Sequence, residues 1–285
     1  MTKLSGSSLF TVTLLRVIPS VGKTTRSNPG AFQKVPPKTL LMILKKIARK
    51  TFNGQTNSVK NLLTVEFLNY LSQYKRKNLF YCNLCKSESP YYYHTANAKR
   101  ILYNSICPNC SSRKRHRGLY EIYKNILKKM DLPRVLHFAP EPVFYSLFTV
   151  CEYITADIEL EDVDLQLDIE KIDCQDNSFN LILCNHVLEH IKDDLTALKE
   201  LQRILIYKGI LVLTVPGDWR RKETIEYKIP DNNGHYRDYG LEFIDLLNNI
   251  FNKVEKIDLH NFNHTYEKPL GLTSKHDLAF LCYKN

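Results

Sequence analysis

The chain of 285 residues contains no run of eighteen or more apolar residues. A helix that crosses a bilayer needs about 20 such residues, so no membrane-spanning helix is predicted. We therefore expect a soluble or peripheral protein of the cytoplasm, with contact at an anionic membrane surface and organellar targeting as open alternatives. The apolar fraction of 44% and the charged fraction of 25% are globular values, which exclude disorder as a general property of the chain.

Acidic residues are nearly absent from the first part of the chain, where Glu66 is the first. Residues 1–81 hold 14 basic and 1 acidic side chains, residues 82–130 hold 10 and 2, and residues 131–285 hold 16 and 27. Any polyanion, whether nucleic acid or a membrane surface, is thus expected to meet the first half. A merely solubilising basic tail is the alternative.

The basic first part divides into two segments. Residues 1–40 are rich in Ser, Thr, Lys and Arg, which predicts a disordered or targeting-like extension. An upstream extension with Met42 as the natural start is a further interpretation. Residues 41–80 are predicted to be a basic helical segment, in which LLMILKKIARKTF fits an amphipathic helix on an anionic membrane or packed on its own domain.

The eight cysteines do not suggest a disulfide framework, because four of them form two C-x2-C pairs separated by 21 residues. Cys82 and Cys85 form the first pair, and Cys107 and Cys110 form the second. This spacing predicts tetrahedral Zn²⁺, and four thiolates leave no open position for water, so the zinc is expected to be structural. A redox CxxC is the weaker alternative. Residues 81–130 are therefore predicted to be a small zinc ribbon and its connecting helix.

A basic cluster, RKRHR at residues 113–117, stands at the predicted start of that helix. Positive charge there opposes the helix dipole, so we expect an anionic partner, either a phosphate or a carboxylate of the next domain. A solvated basic turn is the alternative.

From Arg134 onward the apolar pattern changes. The short apolar runs RVLHF, YITAD, FNLILCN and GILVLTVP alternate with helical stretches such as VLEHIKDDLTALKELQRIL. Strands that alternate with amphipathic helices predict an α/β domain, with a parallel sheet covered on both faces. We place this domain at residues 131–285, with Gly209 at the turn that enters the last of the four strands.

The order of these segments resembles a class I S-adenosylmethionine-dependent methyltransferase of the UbiE-like kind (methyltransferase type 11) with an amino-terminal zinc ribbon. The matching pieces are CPNCSSRKRHRGL, VLHFAPE, YITADI, LDIEKIDCQDNSFNLILCNHVLEHIKDD, ALKELQRILIYKGILVLTVP and, more weakly, GHYRDYG. The resemblance implies a Rossmann-like seven-stranded methyltransferase domain preceded by the small four-cysteine ribbon, with S-adenosylmethionine as cofactor.

The resemblance also implies cofactor-binding residues. Asp157 is expected to bind the ribose hydroxyls, Asp168 to lie beside the adenine amino group, and Ile169 to lie against the adenine ring. Asn185 and His186 are expected to face the methionine part.

The glycine fingerprint Gly-x-Gly-x-x-Gly is missing where the cofactor loop is expected, and the chain there reads RVLHFAPEPVF. We interpret this stretch as a cofactor loop without glycines. His137 takes the usual acidic position, Ala139 keeps the approach open, and Pro140 fixes the turn. Glu141 is then the nearest carboxylate for the positively charged amino group of the cofactor.

Methyl transfer requires a positioned acceptor and, for a hydroxyl, a base that removes its proton. His190 and His235 are the candidate catalytic residues, with His186 as a further candidate base and Arg237 as a candidate grip on an anionic acceptor. An exposed helix face containing Glu189 and His190, and a polar loop around His235, are the alternatives.

The leading hypothesis is methylation, at oxygen, of a small molecule or a glycan or lipid precursor. An RNA methyltransferase that holds nucleic acid with its ribbon and basic first half is the runner-up. A cofactor-binding or interaction protein without catalysis is the third hypothesis, and the missing glycines motivate it.

Overall fold

The cysteine-containing region precedes the main sheet in the computed structural model, which describes residues 56–75, 77–96, 101–272 and 277–285. The predictions for residues 1–40 and for the helix beginning at Leu40 lie outside these described residues. The elements of this region are α1 (Thr56–Ser72), β1 (Phe80–Cys82), β2 (Ser87–Ser89), β3 (Tyr93–Ala96), β4 (Ile101–Ile106) and α2 (Lys114–Leu127). β1 pairs antiparallel with β2, and β3 pairs antiparallel with β4. The first cysteine pair begins at the last residue of β1, and the second pair begins directly after β4.

Seven strands form the main sheet, and two short strands form a separate hairpin. The remaining elements are β5 (Arg134–Phe138), β6 (Glu152–Asp157), β7 (Leu165–Gln166), β8 (Phe179–Asn185), α3 (Asp194–Ile204), β9 (Leu205–Thr214), β10 (Ile225–Glu226), β11 (Arg237–Asp238), α4 (Glu242–Ile250), β12 (Lys253–Asp258) and β13 (Leu278–Tyr283). The order across the sheet is β12-β13-β9-β8-β5-β6-β7. β5 to β9 are parallel within it, and β13 runs antiparallel to its two neighbours.

The sheet is buried on both faces, as its apolar strands predict. On one face, α3 and α4 pack through residues such as Leu198, Leu201 and Phe243. On the other face, α2 packs through Leu119, Ile122 and Tyr123. The predicted mostly parallel, Rossmann-like sheet is therefore confirmed, and the helix that follows the second cysteine pair covers one side of it.

α2 approaches the main sheet closely. A Cβ atom added at Gly118 would lie 2.8 Å from the Cβ of Leu259, which begins a 3₁₀ turn next to β12. A larger residue at position 118 would push the helix away from this turn.

The first crossover differs from the predicted β-α-β pattern. A 3₁₀ turn at Pro142–Leu147, and no α-helix, connects β5 to β6. Pro140 and Pro142 lack the amide N–H groups that a regular helix needs beyond its first turn. α2, which comes earlier in the chain, covers the face that a crossover helix would otherwise cover.

The second helix boundary also differs. The predicted helix from Val187 is a 3₁₀ turn at Leu188–His190 followed by α3, which begins only at Asp194. Asp193 caps α3, because its Oδ1 accepts a hydrogen bond of 3.0 Å from the Thr196 N–H. β9 begins at Leu205, four residues before the predicted turn at Gly209, and Lys208 is the residue there with a left-handed backbone, at φ 63°.

No helix within the described ranges has the length and the apolar character needed to cross a bilayer.

Candidate functional site

The order of the strands reverses between β5 and β8. The chain runs from β5 outward through β6 to β7, and then returns to β8 and β9 on the other side of β5. In an open parallel sheet, ligands bind outside the carboxyl ends of the strands at this reversal. The stretch that follows β5 and the residues at the end of β8 meet at this crevice, and both contain predicted site residues.

The loop after β5 adopts the backbone that a glycine would normally supply. Ala139 has a left-handed backbone with φ 48°, and its N–H donates a 2.9 Å hydrogen bond to the Ala156 carbonyl at the end of β6. Pro140 follows directly and fixes φ, which holds the turn. The loop therefore turns sharply at the crevice without glycine, at the cost of local strain at Ala139.

Glu141 is the first carboxylate after this turn, and it contacts the start of α2. Its Oε1 lies 2.7 Å from Arg115 Nη2 and 2.8 Å from His116 Nε2. Burial raises the pKa of Glu141, but the hydrogen bond and charge of His116 and the charge of Arg115 outweigh it and hold that pKa at about 2. The carboxylate that we expected for the basic cluster is therefore found, and Glu141 is ionised at neutral pH.

Asn185 connects the end of β8 to the same carboxylate. Its side-chain Nδ2 donates a hydrogen bond of 2.7 Å to the Tyr123 hydroxyl and lies 3.4 Å from Glu141 Oε2. Thr214 donates a 3.3 Å bond to its Oδ1. Oε1 of Glu141 contacts Arg115 and His116 of α2, so Oε2 is the oxygen directed toward the end of β8. The predicted residues Glu141 and Asn185 are thus in contact.

His186 follows Asn185 at the crevice. It has a left-handed backbone with φ 54°, and its N–H donates to the Thr214 carbonyl at 2.8 Å. Its ring Nδ1 lies 3.1 Å from Glu189 Oε1, and about one third of its side chain is exposed (34%). The strained turn presents the imidazole at the edge of the sheet.

His137 lies inside the protein. It is fully buried, with Nδ1 at 2.8 Å from the Tyr153 hydroxyl, and Phe144 packs near its ring. Burial lowers its pKa to about 4, so the ring is neutral in the folded protein. In the common motif this position has an acidic side chain. In this protein it has His137, whose ring is uncharged and lies in the interior.

We expect the buried ring of His137 to make the protein sensitive to acid. In the unfolded chain the pKa of His137 is about 6.5, so the unfolded state binds a proton on this ring below that pH. The folded state binds this proton only near pH 4 and below. The contribution of the neutral His137 ring to the free energy of unfolding is complete above about pH 6.5. This contribution falls with the pH, and about 3 kcal/mol of it is lost at pH 4. Urea unfolding at pH 7, 6, 5 and 4 measures this loss. The loss of unfolding free energy should be smaller in His137→Gln than in the control His264→Gln. An equal dependence of that free energy on pH in the two variants would contradict the prediction.

The two predicted aspartates lie at the ends of β6 and β7. Asp157 Oδ1 accepts hydrogen bonds from the N–H groups of Glu159 (2.8 Å) and Leu160 (3.0 Å), which closes the turn after β6. Asp168 is exposed, and its Oδ1 accepts from the Glu170 N–H at 2.9 Å. Ile169 belongs to the hydrophobic core, where 4% of it is exposed. Both carboxylates therefore lie at the crevice edge of the sheet, and Ile169 lies beneath its surface.

The two predicted catalytic histidines meet although 45 positions separate them in the sequence. The rings of His190 and His235 lie 4.8 Å apart, nearly perpendicular. His190 Nδ1 is 3.2 Å from the Gly234 carbonyl, and the Tyr236 N–H donates a 2.7 Å bond to the Glu189 carbonyl. The segment before β11 is thus fixed to the turn that follows β8.

Arg237 anchors this segment and does not face an acceptor. It is buried, with 4% exposed, and donates to the carbonyls of Ile191 (2.6 Å) and Lys192 (2.8 Å). The prediction that Arg237 grips an anionic acceptor is therefore wrong, because these donors are already used inside the protein.

The four cysteines of the two pairs converge on one point. Their sulfur atoms all lie within 4.8 Å of one another, with 3.6 Å between Cys82 and Cys110 and 3.8 Å between Cys85 and Cys107. Four sulfurs bound to Zn²⁺ at about 2.3 Å in a tetrahedron are about 3.8 Å apart. The donor set and its spacing therefore fit zinc. None of the four is in a disulfide.

Arg117 gives a second observation that fits a metal there. Its side chain is completely buried, and it donates to the carbonyls of Leu270 (2.6 Å), Ser112 (2.7 Å) and Asn104 (3.2 Å). Among its described contacts no carboxylate balances the charge, and the nearby thiolates raise the pKa that burial lowers. Four thiolates around Zn²⁺ have a net charge of −2, which would compensate the buried guanidinium.

Four features of the site do not follow from the sequence. The sequence shows the basic cluster. It does not show that Arg117 is a buried cation or that Arg115 is the partner of Glu141. Tyr123 was recognised only as an apolar residue of a helix, and its hydroxyl binds Asn185. An exposed helix face is one of the interpretations that the sequence leaves open for Glu189, and its burial, with only 1% exposed, rules that interpretation out.

Residues 148–213 match a family described as a methyltransferase domain, and the matched segment spans β6, β7, β8 and most of β9. Similar solved structures include a SAM-dependent methyltransferase from Archaeoglobus fulgidus, with 14% identity over 61% of this chain and 96% of that chain, at a TM-score of 0.42. Another is the 1,6-didemethyltoxoflavin-N1-methyltransferase of Burkholderia thailandensis with bound S-adenosylhomocysteine, with 14% identity over 67% of this chain and 98% of that chain, at a TM-score of 0.43. These two likenesses are too distant to bear on the substrate. No curated protein matches the chain significantly.

Proposed function

We infer that the protein, an S-adenosylmethionine-dependent methyltransferase, methylates an oxygen atom of a small molecule or of a glycan or lipid precursor. The family match across β6 to β9 and the Rossmann-like sheet support the enzyme class. The contact between the rings of His190 and His235, beside the crevice, is the observation that supports the acceptor chemistry. An imidazole there can take the proton of a hydroxyl acceptor.

The cofactor, when bound, supplies an electrophilic methyl group on a sulfonium. The residues of this chain that would hold it are those at the carboxyl edge of the sheet. Asp157 has one carboxylate oxygen in the turn after β6, which leaves the other for the ribose hydroxyls. Glu141 Oε2, beside Asn185, is the acceptor for the amino group. Asp168 and Ile169 for the adenine, and Ala139, Pro140 and His186 around the methionine part, complete the proposed set, with the buried His137 supporting the loop from inside.

The same proposal includes the organisation of the chain. Cys82, Cys85, Cys107 and Cys110 hold structural zinc in a ribbon at residues 81–130, as in a UbiE-like methyltransferase with an amino-terminal ribbon. The methyltransferase domain follows at 131–285, and the protein acts in the cytoplasm.

The RNA alternative loses part of its basis. Its basic cluster was to hold a polyanion, but Arg117 is buried among carbonyls and Arg115 is paired with Glu141. At least two of the four Lys and Arg side chains of residues 113–117 therefore make contacts within the protein.

Removal of the Asp157 carboxylate should weaken S-adenosylmethionine binding about 100-fold, because hydrogen bonds to a charged acceptor contribute about 1.5–3 kcal/mol each. Calorimetric titration of Asp157→Ala measures this loss. Asp157→Asn retains an oxygen for the turn and separates a turn defect from the loss of charge. Asp162→Ala, at an exposed aspartate of the following segment, is the control that should bind normally. Equal affinity of Asp157→Ala and wild type would remove Asp157 from the site.

Glu141→Gln should weaken cofactor binding about tenfold, since an amide cannot offer a full negative charge to the amino group. Glu152→Gln makes the same change in an exposed ion pair with Arg134 and should leave affinity unchanged. Isothermal titration of both variants decides the role of Glu141. If both bind S-adenosylmethionine like the wild type, Glu141 only joins the loop to α2.

Methyl tracing tests the proposed acceptor class. The purified enzyme is incubated with methyl-labelled S-adenosylmethionine and with separated small-molecule, glycan, lipid and RNA fractions, with Asp157→Ala as the inactive control. Label in the small-molecule, glycan or lipid fraction, released as methyl iodide by hydriodic acid as expected for an O-methyl group, supports the proposal. Label in RNA alone would overturn it in favour of the RNA alternative.

A further inference from the structure

The turn after β8 and the segment before β11 bring together three metal-binding side chains outside the cysteine site. Glu189, His190 and His235 each offer one ligand atom, and these atoms all lie within 4.8 Å of one another. We call these three residues the acceptor-side cluster. Two imidazoles and one carboxylate are a ligand set that binds divalent transition metals and leaves coordination positions open.

Glu189 gives an independent indication of a cation. Only 1% of it is exposed; Oε1 lies 3.1 Å from His186 Nδ1, and the buried Oε2 has no hydrogen-bond partner among the described residues. A buried carboxylate oxygen without a partner is costly, unless a cation or donor occupies the adjacent space.

The ligands are also held by further groups, as metal ligands usually are. His190 Nδ1 faces the Gly234 carbonyl at 3.2 Å, which leaves Nε2 free to bind a metal. His235 Nδ1 lies 3.8 Å from Asp231 Oδ2, and Glu189 is held by His186. Gly234, with φ 81°, forms the turn that carries its carbonyl to His190.

We propose that the acceptor-side cluster binds one divalent transition-metal ion, which in turn binds an oxygen of the methyl acceptor. Ligand atoms bonded to one ion at about 2.1 Å are about 3–3.5 Å apart. Side-chain rotations that move each ligand atom by about 1 Å are therefore sufficient to bring the three atoms to bonding distance of one ion. His190 is exposed and free to make such a rotation. The role for the acceptor rests on the proposed function, whereas metal binding itself does not.

The position of the cluster agrees with this role. Glu189 joins the crevice through His186, which directly follows Asn185 at the end of β8. The His190 ring is exposed to solvent. A bound ion there would hold a hydroxyl or carboxylate oxygen next to the cofactor crevice and favour its deprotonated form.

Manganese binding tests the proposal without an activity measurement. The full-length protein is first loaded with one equivalent of Zn²⁺ per chain, which the four thiolates bind in preference to nitrogen and oxygen ligands, and is then titrated with Mn²⁺ while electron paramagnetic resonance counts the free ion. Mn²⁺ prefers nitrogen and oxygen over thiolate ligands, so it reports on the acceptor-side cluster. Wild type is expected to bind one Mn²⁺, and His190→Ala, His235→Ala and Glu189→Gln to bind it at least tenfold more weakly.

His264→Ala, which removes an exposed histidine elsewhere, is the matched control and should bind Mn²⁺ like the wild type. Cofactor titration shows that each variant is folded, and the exposed position of His190 makes its variant the most tolerant. Absence of Mn²⁺ binding by wild type, or equal binding by His190→Ala, overturns the proposal. If methyl label still reaches an oxygen acceptor in that case, the proposed function stands and only the metal site fails. Mn²⁺ binding without transfer to any oxygen acceptor retains the metal site and rejects the proposed function.

Discussion

Cys107→Ser is expected to abolish the proposed zinc binding and to destabilise the whole protein by about 4 kcal/mol or more, because metal loss is among the few changes with effects of that size. Cys107 is completely buried, and its sulfur lies 3.8 Å from that of Cys85. Without the ion, the remaining thiolates have no charge to hold them together, and the two hairpins lose a centre that they share. For a domain of this size the loss corresponds to a melting temperature about 10 °C lower.

Elemental analysis and thermal unfolding measure this effect together. Cys151→Ser changes a half-buried cysteine outside the cluster and is the matched control, expected to retain one zinc and a nearly normal melting temperature. A Cys107→Ser protein that still binds one zinc with wild-type stability would show that the four cysteines are not a metal site.

Arg117→Met is expected to cost about 3–5 kcal/mol of unfolding free energy, as does removal of one partner from other buried charged networks. Methionine keeps much of the apolar stem, but it removes the guanidinium donors from the carbonyls of Leu270, Ser112 and Asn104. It also removes the cation stacked on the Tyr92 ring at 4.3 Å, and the positive charge next to the thiolates.

Urea unfolding of the zinc-loaded protein measures this cost, and the rate of zinc transfer to a chelator measures the effect on the metal. Arg117→Lys should recover only part of the stability, because an ammonium group cannot match the planar donor pattern. Arg134→Met, at an arginine in an exposed ion pair, is the control and should change stability by less than about 1 kcal/mol. A loss equally small for Arg117→Met would contradict a structural role for the buried cation.

The cysteine region and the crevice are physically connected through one helix. α2 begins next to the second cysteine pair, provides Arg117 to the cysteine side, and provides Arg115 and His116 to Glu141. About two turns further, Tyr123 binds Asn185 at the end of β8. Destabilisation of the cysteine site is therefore expected to disturb the loop after β5 as well.

The sequence was sufficient where a property depends on neighbouring residues. β5 and β8 begin and end where RVLHF and FNLILCN do, because strands buried on both faces read as continuous apolar runs. The cysteine pairs were equally clear, since each C-x2-C is a local turn. The first crossover was less clear, because the helix that covers that face of the sheet comes from before β5.

Properties that depend on distant contacts could not be predicted. Arg117 looks like part of an exposed basic run, and only the fold brings the Leu270 carbonyl to it from 153 positions away. Glu189 looks like a residue on an exposed helix, but the chain forms a 3₁₀ turn there and buries the carboxylate. The meeting of His190 and His235 likewise depends on Arg237, whose bonds to the turn after β8 fix the segment before β11.

Titration of S-adenosylmethionine into the wild-type, zinc-loaded protein, followed by calorimetry, tests the central claim most directly. The carboxyl edge of the sheet, with Asp157, Glu141 and Asn185 around the crevice, predicts one binding site per chain. A stoichiometry of one, competed by S-adenosylhomocysteine, is the expected result. A folded protein that shows no binding up to about 1 mM cofactor, a concentration at which even weak sites of about 4 kcal/mol are half occupied, would contradict the account.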